Sequence, residues 1–132
     1  MRLSMFKLMD RAAQMVSNVR REKPPIYDDV VEAVGELPDG VIFCWGREIY
    51  IPGSAELTDH LAIHEAVHSF QQDDEPEEWW GRYLEDEDFR LAQELQAHRW
   101  EYRWMRKQVP INMRRPVIRS LARGLQLICM AI

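Results

Sequence analysis

The sequence predicts an α+β fold made mostly of helices, and three observations support this prediction. Apolar side chains recur at helical spacing along most of the 132 residues. One pair of short apolar segments, separated by a glycine and an arginine, is typical of a β-hairpin. No internal repeat or low-complexity tract interrupts the chain, and this length is enough to bury a hydrophobic core. We therefore expect one domain over residues 1–132.

The first half of the chain is predicted to form two helices and a hairpin. A helix is expected over residues 3–21, because the two prolines at 24–25 stop it. A short helix over YDDVVEAV follows, and VIFCW and EIYIP then form the hairpin. We expect the second strand, in EIYIPG, to offer an edge with which an extended peptide pairs. The apolar face of the first helix is expected at Leu3, Phe6, Met9, Ala13 and Val16.

The second half of the chain is predicted to form helices only. Their tryptophans are expected to pack between helices and not to form a binding platform. The first helix is expected to run from a cap at Ser54 or Thr58 to about Gln72, and the second covers EEWWGRYL after Pro76. The third covers DFRLAQELQAHRWEYRWMRK, and the fourth covers roughly 113–130.

The charged residues are distributed unevenly, although the net charge is only −5. Acidic side chains dominate residues 73–98, and basic ones dominate from residue 99 onward. The favoured interpretation is that the basic end is solvated or pairs with the acidic middle of the same molecule. The alternative is that it contacts a protein partner. No nucleic-acid motif is present, so nucleic acid is not an expected partner.

No segment is expected to cross a membrane. Charged residues interrupt the N-terminal stretch MRLSMFKLMDRAAQ, which therefore does not serve as a secretory signal. The apolar end LQLICMAI is too short to span a bilayer. A cytoplasmic location is expected, in which Cys44 and Cys129 are buried thiols and not a disulfide.

The pentapeptide HEAVH, residues 64–68, is the strongest functional signal. On a helix, His64 and His68 lie one turn apart on one face, so both imidazoles reach one zinc ion. Glu65 lies beside them, in a position to take a proton from an attacking water. Aliphatic residues interleave the motif, which indicates a buried helix whose polar groups need partners. His60, one turn earlier, is too far along the helix to bind the same ion.

The third zinc ligand is predicted from residues downstream of HEAVH. A glycine at 71 and a histidine at 74 would complete one known pattern, but Gln71 and Asp74 occupy those positions. The helix RLAQELQAHRWEY offers a carboxylate instead. Glu94 lies on its apolar face together with His98, and a carboxylate on a core-facing stripe needs a cation. Glu94 is therefore the predicted third ligand.

Two other glutamates lie seven residues either side of Glu94 and face the same way. Glu87 belongs to the first turn of the helix, where acidic residues are favoured. Glu101 is flanked by Arg99 and Arg103, so we expect it in an exposed charge pair. Neither is expected to affect zinc binding.

With these residues the chain resembles the gluzincin clan of zinc metallopeptidases, in which HExxH is followed by a glutamate within ExxxD or ExxA. It is most similar to the very small, minigluzincin-type members. Residues 48–105 also resemble metallopeptidase-like proteins of tailed phages and prophages. The resemblance implies a zincin-like fold, in which a small sheet packs beside the HExxH helix and a long third-ligand helix and a C-terminal helix follow. It also implies that Zn²⁺ is held by His64, His68 and Glu94, with Glu65 as the general base.

The two versions of the gluzincin pattern differ in the residue that orients a zinc histidine. Ala97 fits ExxA, because a small side chain lets two helices approach closely. The ExxxD version has an orienting aspartate where this chain has His98. Asp59 is the candidate for that role here.

The predicted function is zinc-dependent hydrolysis of a peptide or protein substrate. Three protein ligands leave the fourth zinc position for water, whose pKa zinc lowers toward about 7. Glu65 takes the proton of this water, and the oxyanion needs a second donor, for which His98 and Tyr83 are preferred over Tyr102. The alternative is a zinc-stabilised structural or partner-binding protein without catalysis. If phage-encoded, it would be virion-associated and would contact assembly partners through its basic C-terminal region.

Overall fold

Helices account for most of the regular structure, and a small sheet accounts for the rest. The computed structural model describes residues 2–108, 115–116 and 119. The predicted class, α+β and mostly α, is confirmed. None of the helices among the described residues is long and apolar enough to cross a membrane. The elements are α1 (Met5–Val16), β1 (Val19–Arg20), α2 (Tyr27–Val34), β2 (Phe43–Trp45), β3 (Glu48–Tyr50), α3 (Asp59–Gln72), α4 (Pro76–Glu85) and α5 (Glu87–Gln108).

Helix α1 is present, but the prediction chose the wrong face for its core contacts. Phe6 on the predicted face is 81% exposed, whereas the opposite side of the helix is buried against α3. Both sets recur at helical spacing, so periodicity alone does not distinguish them. The helix also ends at Val16, five residues earlier than predicted, because the chain turns there and enters β1. The buried residues of α1 are Leu8, Ala12 and Met15.

The sheet has three strands in the order β1-β3-β2. β2 and β3 form the predicted antiparallel hairpin, and Gly46 in its turn has a φ of 63°, which favours a residue without Cβ. β1 pairs with β3 in parallel, so β3 is the central strand. The prediction that EIYIPG offers a free edge is therefore wrong. On β2, Cys44 O accepts hydrogen bonds from Gln72 Nε2 (2.8 Å) and Trp80 Nε1 (2.9 Å).

Helix α3 lies between the sheet and the other long helices. It packs against α1, α5 and β2. Its aliphatic residues join a core cluster with the buried face of α1 and with Cys44, which is a buried free thiol as predicted. Trp100 and Trp104 pack against this aliphatic cluster. The α3 residues in the cluster are Ala62, Ile63, Ala66 and Val67.

A second core cluster is largely aromatic and lies where α2, β2 and α4 meet. Trp79 and Trp80 are buried in it, so they pack in the core as predicted, but against strand β2 as well as between helices. The predicted C-terminal helix over 113–130 lies outside the described residues apart from 115, 116 and 119, and Cys129 lies outside them as well. The buried members of this aromatic cluster are Ile26, Val30, Phe43, Tyr50, Trp79, Trp80 and Tyr83.

Candidate metal centre

Helix α3 is buried around the HEAVH pentapeptide. All residues from Ala62 to Ser69 are buried, because α1 and β2 cover the helix with apolar contacts and α5 covers the face that carries the histidines. His64 and His68 lie one turn apart on that face, where they meet side chains of α5. The helical spacing of the sequence therefore directs both imidazoles into the same buried space.

Three side chains from α3 and α5 converge on one point. His64 Nε2 and His68 Nε2 are 3.0 Å apart. Glu94 Oε1 lies 2.8 Å from His68 Nε2, and Glu94 Oε2 lies 3.5 Å from His64 Nε2. Two nitrogens bound to one tetrahedral zinc ion at roughly 2.0–2.1 Å lie about 3.3 Å apart, so the observed spacing is close to what one ion needs. The structure thus brings together the three side chains predicted as zinc ligands.

The second ring nitrogen of each histidine is held by a hydrogen-bond acceptor. His64 Nδ1 lies 2.9 Å from Glu101 Oε1, and His68 Nδ1 lies 2.7 Å from Gln71 Oε1. An ionised carboxylate only accepts, and Gln71 uses its Nε2 to donate to Gln93 O, which leaves Oε1 as the acceptor. We infer that both imidazoles carry a proton on Nδ1. In their neutral forms, both Nε2 atoms then present lone pairs to the shared point.

This donor set fits a bound cation. Two Nε2 lone pairs and the Glu94 carboxylate face one another in a buried space, and Glu94 Oε2 makes no hydrogen bond. Buried polar atoms without partners cost free energy, and a positive ion at their centre removes that cost. Imidazole nitrogen and carboxylate oxygen are ordinary zinc ligands, and they also serve other first-row divalent ions.

The pKa values of His64, His68 and Glu94 also indicate that this space favours positive charge. Burial alone would lower the pKa of His64, but its hydrogen bond to Glu101 and its closeness to the Glu94 carboxylate raise it well above its usual value. The pKa of His68 also rises against the effect of burial, mainly because of the charge of Glu94. Burial alone would raise the pKa of Glu94, but attraction to His68 holds it well below its usual value. Protons supply the favoured positive charge at low pH, and a metal ion supplies it once the histidines are neutral.

Glu65 lines an apolar cavity of about 180 Å³ that His64, His68 and Glu94 also line. Burial raises the pKa of Glu65 to about 7. A carboxyl group with such a pKa both accepts and releases a proton near neutral pH, as a general base requires. The cavity walls outside the ligands are Val30, Val34, Leu37, Pro38, Val41, Ile42, Phe43, Cys44, Trp79, Trp80, Tyr83 and Leu84.

Tyr83, on helix α4, contacts Glu94, the predicted third ligand. Its hydroxyl donates a hydrogen bond of 3.3 Å to Glu94 Oε1. Burial raises the pKa of Tyr83 well above its usual value, and the negative charge of Glu94 raises it further, so the hydroxyl stays a donor. Because Tyr83 also lines the cavity, it is the predicted oxyanion donor that a substrate in the cavity would meet.

His98 lies behind His64 and does not line the cavity. The two rings are 4.6 Å apart, and His98 Nδ1 is 3.3 Å from Glu101 Oε1. Neither nitrogen of His98 makes a hydrogen bond. This placement does not bring His98 to the position expected of an oxyanion donor. His64, His98 and Glu101 form a second group of closely spaced donors, but it shares His64 with the first.

Glu101 is the residue whose environment the sequence prediction got wrong. It was expected in an exposed charge pair, but its side chain is 0% exposed. Its oxygens lie 2.6 Å from His60 Nδ1 and 2.9 Å from His64 Nδ1. The seven-residue spacing from Glu94 turns Glu101 inward, while its flanking arginines lie on other faces of α5. Glu87 is exposed, as predicted.

The groups that orient His64 and His68 were not identified from the sequence. Asp59, the candidate, is exposed at the start of α3 and has no such role. Glu101 contacts His64, and Gln71 contacts His68. The position of Gln71, three residues after His68 on the same helix, is a spacing that indicates such a contact.

Comparison of the chain with protein-family models, with curated proteins and with solved structures finds no match. The functional assignment of the site therefore depends on its own geometry and chemistry.

Proposed function

We propose that this protein is a zinc metallopeptidase of the gluzincin type, with a zincin-like arrangement of sheet, HExxH helix and third-ligand helix. The supporting observation is the convergence of His64, His68 and Glu94, with Glu65 on the wall of the adjoining cavity. Three protein ligands are typical of catalytic zinc sites, whereas structural zinc sites use four. Zn²⁺ is the proposed cofactor, and a peptide or protein is the proposed substrate.

The chemistry of peptide hydrolysis suits these side chains. Bound zinc supplies a Lewis acid that polarises a carbonyl group and makes water more acidic. Glu65 accepts a proton from the attacking water on its carboxylate and delivers it to the leaving amine. The Tyr83 hydroxyl, which donates to Glu94 Oε1 in this structure, would turn to the carbonyl oxygen and donate to it as negative charge develops there.

The cavity favours a substrate with a large apolar side chain beside the cleaved bond. Its walls come from α2, β2, α4 and the segment before β2, and the charged side chains among them are those of the site itself. An apolar cavity of roughly 150 Å³ holds a benzene molecule. A cavity of about 180 Å³ therefore accommodates one aromatic or large aliphatic side chain. A charged side chain would lose its hydration there without gaining a partner.

The deep burial of the ligands supports a second candidate, a zinc-stabilised structural or partner-binding protein. Glu94 is only 2% exposed, and a buried metal site contributes directly to the stability of a small fold. In this case the basic residues from 99 onward would contact a partner such as another phage component. Glu65 separates the two candidates, because a structural site has no need of a base.

Zinc content and peptide cleavage, measured on the same samples, test the proposal. We expect about one zinc ion per chain and cleavage within a peptide library that contains Phe and Leu at each position. Glu65→Gln should keep zinc and fold but lose cleavage, because an amide does not accept the proton. Glu56→Gln, at an exposed glutamate just before α3, is the matched control and should keep both. Identical products from wild type and Glu65→Gln would contradict the proposal, and zinc without cleavage would favour the second candidate.

A further inference from the structure

The carboxylate of Glu101 is surrounded by imidazoles inside the molecule. Oε2 lies 2.6 Å from His60 Nδ1, and Oε1 lies 2.9 Å from His64 Nδ1. His98 Nδ1 lies 3.3 Å from Oε1 but is not hydrogen-bonded. The Glu101 side chain is completely buried, whereas the His60 side chain is 31% exposed. A solvent-accessible histidine is thus linked to a predicted zinc ligand through one buried carboxylate.

Each oxygen of this carboxylate contacts a different imidazole: Oε2 contacts His60, and Oε1 contacts His64. Because an ionised carboxylate only accepts hydrogen bonds, His60 and His64 must each present an N–H to it. The proton on His64 Nδ1 leaves the Nε2 lone pair free and directed at His68 and Glu94. Hydrogen bonds to a charged acceptor are short and strong, so they fix ring orientation as well as tautomer.

We propose that Glu101 is a positioning residue that holds His64 with its Nε2 directed at the zinc ion, and that His60 holds Glu101 in turn. This inference rests on the zinc site of the proposed function. In the ExxxD pattern, the orienting residue lies four positions after the third ligand, where this chain has His98. We assign that role to Glu101, seven positions after Glu94.

The zinc affinity of Glu101→Gln, measured by competition with a chelator, tests this inference. Glutamine has nearly the same size but only one accepting oxygen and no charge, so it does not accept from both imidazoles. We expect zinc affinity to fall about 10–100-fold, with the circular dichroism of the zinc-free protein unchanged. Glu87→Gln is the matched control, because Glu87 lies seven residues on the other side of Glu94 and is exposed. It should bind zinc as the wild type does.

A second measurement needs no substitution and decides the question even if Glu101→Gln does not fold. In the zinc-loaded wild type, the Nδ1 proton of His64 should resonate far downfield, as a short hydrogen bond to a carboxylate requires. Unchanged affinity in Glu101→Gln, or a His64 ring without this proton, would overturn the inference while leaving the zinc site intact. A second zinc ion that is lost in Glu101→Gln would also overturn it, since Glu101 would then be a ligand. A wild type that binds no zinc would overturn the proposed function itself.

Discussion

Two regions of this molecule meet along helix α3 and differ in their chemistry. Between α3 and α5 lies a polar layer in which buried groups contact one another; its members are His60, His64, His68, Glu94, His98 and Glu101. Between α2, β2 and α4 lies the apolar cavity, whose walls are aliphatic and aromatic apart from His64, Glu65, His68 and Glu94 on the side of the polar layer. A cation needs buried charges held in fixed positions, whereas an apolar side chain needs empty space without polar groups. Because the apolar walls of the cavity come from elements other than α3 and α5, substitutions in those walls should change substrate preference and leave zinc affinity unchanged.

The largest expected effect comes from removing a ligand in the polar layer. Glu94→Ala should weaken zinc binding by more than the roughly 10–100-fold that changes to surrounding residues cost, because it removes the carboxylate that faces both Nε2 atoms. Elemental analysis after dialysis measures the loss. Glu87→Ala, on the same face of α5 but exposed, should retain zinc. Full zinc content in Glu94→Ala would exclude Glu94 as a ligand.

A second test of the polar layer is the pH dependence of zinc affinity. In the zinc-free protein the pKa values of His64 and His68 are raised, so protons occupy these rings at pH values above the usual 6.5. Zinc must displace these protons, and its affinity should fall up to about tenfold per pH unit for each displaced proton as pH decreases. Glu94, whose pKa is lowered, stays ionised at the same pH values and adds nothing to the change of zinc affinity with pH. Chelator competition from about pH 8 to about pH 6 measures the effect, and a flat profile would contradict ligation by these histidines.

The smallest expected effect is confined to the cavity. Val34→Phe places a larger side chain in the cavity wall and should reduce cleavage of peptides with large apolar residues by about tenfold or more. Zinc affinity should not change, because Val34 belongs to α2 and packs against the aromatic cluster, whereas the predicted ligands belong to α3 and α5. Val31→Phe, on the same helix but not on the cavity wall, is the matched control. Equal cleavage by both variants would show that the cavity does not receive the substrate.

The polar layer was easier to predict from the sequence than the cavity. The spacing of His64 and His68 follows from helix geometry, which is local and regular. Glu94 is buried as predicted, although Leu91, which the notion of an apolar stripe would also place in the core, is 39% exposed. The burial of Glu101 was missed because neighbouring arginines in the sequence suggested an exposed ion pair, although helix geometry turns them to other faces. Local charge was therefore a poorer guide than position on the helix.

The cavity and the sheet depend on contacts between distant segments. Val30, Phe43 and Trp79 belong to three different elements, and no periodicity in the sequence indicates that a space remains between them. The two-residue strand β1 is equally hard to predict, since it exists only through its pairing with β3. The apolar face of α1 was misassigned for the same reason, because the choice between its two faces is made by α3. Helix boundaries within α2 and α3, which depend on local signals, were predicted well.

The outer edge of β2 has a consequence for the behaviour of the protein in concentrated solution. An edge strand with free backbone groups is a template for pairing with other molecules and for aggregation. Here Gln72 accepts a hydrogen bond from Gly46 N with Oε1 and donates one to Cys44 O with Nε2, much as a neighbouring strand would. Trp80 takes the remaining lone pair of Cys44 O. Two side chains from helices thus occupy backbone groups at the β2 edge that would otherwise be free to pair with another chain.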